Sequence, residues 1–267
     1  FSFYEDEIQR IIYYPYLVER KAKWGNASLL IGASTKKYFR KKRSRASKRV
    51  YGGPGYEEYY NSSLLIDEYD HPSFVHKSKL VLGVEKVPFS NWIPALEELS
   101  INNGGTSGTL GIEDESQVLS SNGIKFAPIV CYESIYGEFV AEQCRKGAEL
   151  LFIITNDGWW KDTPGYKQHM AFARLRAVEC RKYLARSANT GSSCFIDPLG
   201  SVSKTTAWWK EASIKQTLYR NKKKTFYVRW GDVIGKMAIV ASIIVLTTLL
   251  YKRIFKRMRV VKENDNS

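Results

Sequence analysis

The sequence predicts an α/β layer fold followed by one membrane-crossing helix. Two observations lead there. Short apolar runs with strand character alternate with a long stretch free of Gly and Pro, the pattern of strands and helices stacked in layers. Near the C-terminus an uncharged run, Met237 to Tyr251, leads into a tail rich in Lys and Arg. The chain has 267 residues, 44% hydrophobic and 13% aromatic, which suffices for one large domain with its own core and excludes intrinsic disorder.

The elements follow in chain order. Glu5 and Glu7, in "FSFYEDEIQRI", have the setting of helix residues. Residues 27–34, "ASLLIGAS", read as a buried strand, and 59–67, "YYNSSLLID", as its partner. Between them nine Lys and Arg from Lys36 to Arg49 predict a long exposed hairpin connection, whose charge also suits anionic lipid head groups. In 74–89, "FVHKSKLVLGVEKVPF", apolar and polar residues alternate, which would set Lys77 and Lys79 on one face of a strand. The Gly- and Ser-rich stretch 102–123 is expected to be a loop. Strands are predicted at 124–131, 148–156 and 192–200, the last turning at Pro198-Leu199-Gly200, with a helix over 167–187 between the second and third.

Extending the uncharged run back to Val233 gives close to the ~20 residues needed to cross a bilayer, with Lys236 able to snorkel. The basic tail beyond it, with Lys252, Arg253, Lys256, Arg257, Arg259 and Lys262, is unlike the flank of a core helix. It belongs in the cytoplasm by the positive-inside rule. Residues 1–232 then form a domain on the far side, 233–251 the span and 252–267 a cytoplasmic tail. In a bacterium the far side of the inner membrane is the periplasm. A formal net charge of +14 suits an anionic partner, and the span selects a membrane, with no nucleic-acid partner expected. The chain begins at Phe1 with no export signal ahead of a far-side domain, so it is expected to be part of a longer, multi-pass membrane protein.

Cys131 ends the predicted strand "IKFAPIVC", where a side chain can leave the sheet edge while its backbone stays rigid. Taken alone, such a cysteine is ordinarily a small buried hydrophobe. Thiolate chemistry needs a nearby cation or base, and Lys77 and Lys79 are candidates, with Glu85 eight residues after Lys77. There is no zinc-type Cys/His spacing, no phosphate-binding loop and no dinucleotide glycine motif, so no cofactor or metal is expected. Of Cys144, Cys180 and Cys194, none is expected in a disulfide.

Together, "HKSKLVLGVEKVPF" and "CYES" resemble the nitrilase (carbon-nitrogen hydrolase) superfamily, whose triad is Glu, Lys and Cys, and within it most closely the apolipoprotein N-acyltransferases. "TNDGWW" (155–160), "QHMAFARLRAVE" (168–179), "RSANTGSSCFIDPLG" (186–200) and "TFYVRWGD" (225–232) resemble that family in the same order. The resemblance implies a nitrilase-like α-β-β-α sandwich, incomplete at its N-terminus. Cys131 is then the nucleophile and Lys77 the triad lysine, with Lys79 the lesser candidate. Glu85 and Glu133 match two supporting glutamates, and the backbone N–H of Tyr132 is the expected second oxyanion donor. A Pro-Glu-Thr-like segment carrying the family's general-base glutamate is missing. The chain by itself is therefore expected to be inactive.

The implied reaction moves a fatty acyl chain from a phospholipid to Cys131 and then to the α-amine of a diacylglyceryl-cysteine on an apolipoprotein. Trp159 and Trp160 are expected either beside the cleft or in the core. A soluble-type amidase or nitrile hydrolase, with water as second nucleophile, is the competing enzyme. A non-catalytic membrane-anchored module competes from another class.

Overall fold

The computed structural model describes residues 2–25, 27–82, 85–86 and 110–264. They form two compact units, Phe1–Arg229 and Trp230–Ser267. In the first unit the chain builds two sheets. One contains β1 (Phe3–Tyr4), β2 (Leu29–Phe39), β3 (Lys48–Arg49), β4 (Tyr56–Ile66) and β5 (Pro72–His76). Its order is β1-β2-β4-β3, with β5 also on β4. The other contains β6 (Leu119–Ser121), β7 (Ile124–Val130), β8 (Leu150–Thr155), β9 (Leu184–Ala188), β10 (Cys194–Ile196) and β11 (Val202–Ser203). Its order is β11-β10-β9-β8-β7-β6, and β7, β8 and β9 run parallel. The helices are α1 (Tyr13–Ala22), α2 (Gly137–Arg145), α3 (Pro164–Cys180), α4 (Phe226–Trp230) and α5 (Val233–Asn264).

Period-two side chains explain the layers. In β8, Leu150 and Phe152 pack with Leu65 of β4, Val75 of β5 and Phe126 of β7, filling the space between the sheets. Leu151 and Ile153, one residue out of phase, pack against Val140 and Cys144 of α2 and Ala173, Ala177 and Cys180 of α3. Likewise β4 sends Leu65 between the sheets, while Leu64 and Ile66 pack with Tyr14, Leu17 and Val18 of α1. The sheets approach closely where Gly32 lies, since a Cβ there would stand 3.0 Å from Ile154. The result is the α-β-β-α sandwich the resemblance implied.

Several boundaries move. β2 and β4 pair antiparallel as expected, but over all of Leu29–Phe39 and Tyr56–Ile66, so Lys36 and Lys37 belong to a strand rather than to the loop. Lys36 is held there by Glu57 at 3.4 Å and by the Tyr4 ring at 4.0 Å. The expected helix over 167–187 ends at Cys180, because Arg181 turns left-handed with φ 51° and Leu184–Ala188 becomes a central strand of the second sheet. The strand at 192–200 shrinks to Cys194–Ile196, after which the Asp197 side chain accepts from the N–H groups of Leu199 and Ser201. Glu5–Arg10 form a 3-10 turn. Of the expected loop, 102–109 lie outside the described residues, as do Gly83, Val84 and 87–89 of the segment after Lys77. Residues 119–121 of that loop instead pair with β7 through a turn at Asn122-Gly123.

The second unit is dominated by α5, a single helix of 32 residues that continues through the basic tail. Its segment Val233–Arg253, 21 residues containing an 18-residue stretch of mean hydropathy 2.3, is long and apolar enough to cross a membrane. Ile239, Ile243, Leu246 and Leu250 along it are exposed, which is not the pattern of a core helix.

Candidate active site

β7 delivers Cys131 to the sheet edge. The strand ends at Val130, and Cys131 opens a 3-10 turn, Cys131–Ile135, with φ 52°. Left-handed backbone at a non-glycine residue costs about 1–3 kcal/mol and persists where neighbours over-determine it. Here the Cys131 carbonyl accepts from the Ser134 hydroxyl at 2.9 Å and lies 3.1 Å from His169 Nε2. Because β7, β8 and β9 are parallel, their C-terminal ends share one edge, which is where α/β sheets bind ligands. Cys131 is half-buried and a free thiol, while Cys144, Cys180 and Cys194 are buried free thiols.

Glu133 joins this turn to the segment after β5. Its Oε2 accepts from the Val130 N–H at 2.9 Å, the carboxylate half of a capping box. Its Oε1 accepts from Ser78 N–H at 2.6 Å and Lys79 N–H at 3.3 Å. The side chain is buried, at 2% exposure. Burial pushes its carboxyl up to about 7, against the pull of the backbone N–H groups of Val130 and Ser78 and of the Lys77 charge.

Lys77 and Lys79 part company. β5 stops at His76, so the two lysines are not strand neighbours on one face, as the alternation had predicted. The chain turns because the Lys77 N–H still bonds to Asn61 O at 2.8 Å, whereas Ser78 and Lys79 are drawn off to Glu133. Lys77 is 1% exposed, and its ammonium donates to both oxygens of Glu85, at 2.8 and 2.7 Å. Glu85 also accepts from Asn61 Nδ2 at 2.6 Å and Val81 N–H at 2.8 Å. Lys79 is exposed, its Nζ 5.8 Å from the Phe139 ring. Tyr132 follows Cys131 in the turn, and its ring packs edge-on to Tyr136 at 5.7 Å.

A buried network beneath the turn was not read from the sequence. His169 of α3 meets Ser134 Oγ at 2.9 Å through Nε2 and Asp157 Oδ1 at 3.0 Å through Nδ1. Asp157 Oδ2 accepts from Arg186 of β9 at 2.6 Å, and its Oδ1 from Thr155 at 3.0 Å. Burial pulls the Asp157 carboxyl up, yet the His169 bond and the Arg186 charge outweigh it and hold the group below the usual range. These residues lie inside the quoted segments "TNDGWW", "QHMAFARLRAVE" and "RSANTG", which supplied a signal without roles. Glu5 is brought to His76, the neighbour of Lys77, at 2.7 Å, and bonds Thr35 at 2.7 Å.

A thiol on a rigid turn, a buried lysine on the adjoining segment and a carboxylate tying the two together can carry nucleophilic attack on a carbonyl, with the ammonium stabilising the oxyanion. Among the described residues no group of His, Cys, Asp and Glu is arranged to hold a metal ion.

Residues 26–223 match the carbon-nitrogen hydrolase family. Over 200 residues the chain is 34% identical to the apolipoprotein N-acyltransferase of Chlorobaculum tepidum, a match covering 73% of this chain and 38% of that protein. It is 30% identical over 216 residues to the apolipoprotein N-acyltransferase of Geobacter metallireducens, covering 76% and 40%. Among solved structures it is similar to the carbon-nitrogen hydrolase of Helicobacter pylori G27, at 16% identity and a TM-score of 0.47, covering 74% of this chain and 66% of that one. The chain thus spans about 40% of the length of the curated relatives it matches.

Proposed function

The chain belongs to the carbon-nitrogen hydrolase family, and on that premise we propose that it is the catalytic part of a membrane-bound apolipoprotein N-acyltransferase. The observation that carries the reading is the Glu133 bridge between the Cys131 turn and the Lys77 segment. The names of its relatives support the choice of substrates.

In the first half-reaction the Cys131 thiolate attacks an ester carbonyl of a phospholipid. The tetrahedral oxyanion is stabilised by the Lys77 ammonium and the Tyr132 N–H, and its collapse leaves a thioester on Cys131 and expels a lysophospholipid, whose oxygen takes up the proton the general base removed from the thiol. In the second, the α-amine of a diacylglyceryl-cysteine attacks the thioester and gives a proton to the same base, a second oxyanion forms and collapses, and Cys131 leaves as the thiolate with an amide formed. Glu85 holds the Lys77 ammonium in place, and Glu133 fixes the spacing of the two segments. No segment of this sequence matches the family's general-base glutamate. A carboxylate from outside these residues is therefore part of the proposal, and turnover is assigned to the protein that carries it.

The apolar segment Val233–Arg253 anchors the enzyme in a bacterial inner membrane, in a multi-pass protein. Its basic flank argues for a cytoplasmic C-terminus and a periplasmic catalytic unit. The test supplies the reconstituted protein with labelled phospholipid and a diacylglyceryl-cysteine peptide. Label should pass to the peptide amine, and Cys131→Ala should abolish transfer. Release of free fatty acid at one rate with or without the peptide would instead make the enzyme a hydrolase using water.

A further inference from the structure

The sequence carries one short motif twice, Trp159-Trp160-Lys161 and Trp208-Trp209-Lys210, and the fold brings both copies to one surface of the first unit. A Cβ on Gly158 would stand 3.3 Å from the Trp209 ring. The Trp208 ring stacks on Tyr166 at 4.1 Å and lies 5.8 Å from Trp209. Trp160 lies over Gly165, at the start of α3. Core packing does not account for these indoles, because Trp159 is 67% exposed, Trp209 61% and Trp160 40%.

Each copy also contains a residue in left-handed backbone, Lys161 at φ 51° and Trp209 at φ 56°. Such backbone at bulky residues persists where neighbouring contacts over-determine it. Lys161, Lys167, Lys204, Lys210 and Lys215 stand exposed on the same two segments, against the exposed carboxylates Asp162 and Glu211. Lys167 lies 5.7 Å over the Tyr166 ring, and Lys204 donates to Lys215 O.

Clustered Trp and Tyr with lysines at their rim have the chemistry of the head-group layer of a bilayer, where amphipathic rings and snorkelling ammonium groups are both satisfied. Each lysine adds attraction near an anionic leaflet. We propose that this surface seats the first unit on a phospholipid bilayer, with the indoles at head-group depth. The patch starts at the turn Asp157–Trp160, whose first residue bonds His169 beneath the Cys131 carbonyl, so lipid would be met next to the nucleophile. The proposal adds a lipid-facing surface to the acyl-transfer reading, and its test reads lipid contact without turnover, so either can fail alone.

The test reconstitutes the chain in vesicles containing phospholipid brominated near the head group and follows tryptophan fluorescence. A variant with Trp159→Phe, Trp160→Phe, Trp208→Phe and Trp209→Phe keeps an aromatic ring at each position and isolates the patch by difference. The patch signal should be quenched by brominated lipid and shielded from aqueous acrylamide. Should the fourfold variant not fold, Trp159→Phe and Trp209→Phe singly, both at exposed positions, serve the same comparison. Lys161→Glu with Lys210→Glu should reduce quenching in anionic vesicles at low salt and leave it unchanged in zwitterionic ones. Patch tryptophans open to acrylamide but not to bromine, or shielded from both as they would be under a second copy or another protein segment, would overturn the proposal.

Discussion

Replacing Glu133 by Gln separates the stability of the Cys131 turn from its use. The carboxylate accepts three backbone N–H groups with two oxygens, from Val130, Ser78 and Lys79. A carboxamide keeps one acceptor oxygen and turns N–H groups toward the other site. The protonated carboxyl that burial favours is closer to Gln than the carboxylate is, so at pH 5 the variant loses only about 1 kcal/mol, one net hydrogen bond. At higher pH the comparison reverses. The Glu133 carboxyl titrates at about 7 in the folded chain against an ordinary 4.5, so between those values the folded state binds the more protons. Stability is then full below about pH 4.5 and declines as pH rises to 7. The gap is worth about 3 kcal/mol at 1.36 kcal/mol per pH unit. Glu133→Gln lacks this loss, so the curves should cross, and at pH 8 the variant should be more stable than wild type by about 2 kcal/mol. Acylation should fall nonetheless, because one amide cannot hold both Val130 and the Ser78–Lys79 segment. Denaturant titrations of both proteins in micelles from pH 4.5 to 8, beside single-turnover acylation, supply the comparison. A wild type that gains stability relative to the variant as pH rises would mean that folding does not favour the protonated Glu133 carboxyl.

Other perturbations separate the neighbouring groups. Lys77→Met should slow acylation by roughly 10²- to 10³-fold, the cost of losing an oxyanion donor. It should also cost about 3–5 kcal/mol by stranding Glu85, so that adding Glu85→Gln restores stability but not rate. Lys79→Ala, at an exposed position, should change either by little, and a larger loss of rate there than in Lys77→Met would reverse the assignment of the two lysines. His169→Leu removes a partner of the Cys131 carbonyl and should slow alkylation of Cys131 by iodoacetamide roughly tenfold, about 1.4 kcal/mol. His169→Gln can still donate there and should recover much of that loss, while equal rates in the two variants would make His169 a packing residue only.

Local chemistry made much of this legible from sequence. The apolar runs around Leu64, Phe126 and Leu151 announced strands because each buries one or both faces, and Cys131 stood out because an apolar run ends there. The path of Lys77 was hidden, since alternation from Phe74 onward continues past the point where Glu133, 55 residues later, captures the N–H of Ser78. Residues 184–187 read as helix because nothing local breaks the pattern. Their strand identity comes from pairing with β8 and β10. The His169, Asp157 and Arg186 network was invisible for the same reason, its members being 12 and 29 residues apart, on a helix, a turn and a strand that only the packed sheet brings together.

In the proposed reaction Cys131 carries the acyl chain. That assignment is checked by incubating the longer protein that carries the general-base carboxylate with a phospholipid of one defined acyl chain, without acceptor, and mapping the adduct by peptide mass spectrometry. One acyl group should appear on the peptide containing Cys131 and be released by neutral hydroxylamine, as a thioester is. It should be absent from Cys131→Ala and unchanged in Cys180→Ala and Cys194→Ala. An adduct that persists on the Cys131→Ala protein, or that maps to another residue in the wild type, would mean that Cys131 is not the acyl carrier.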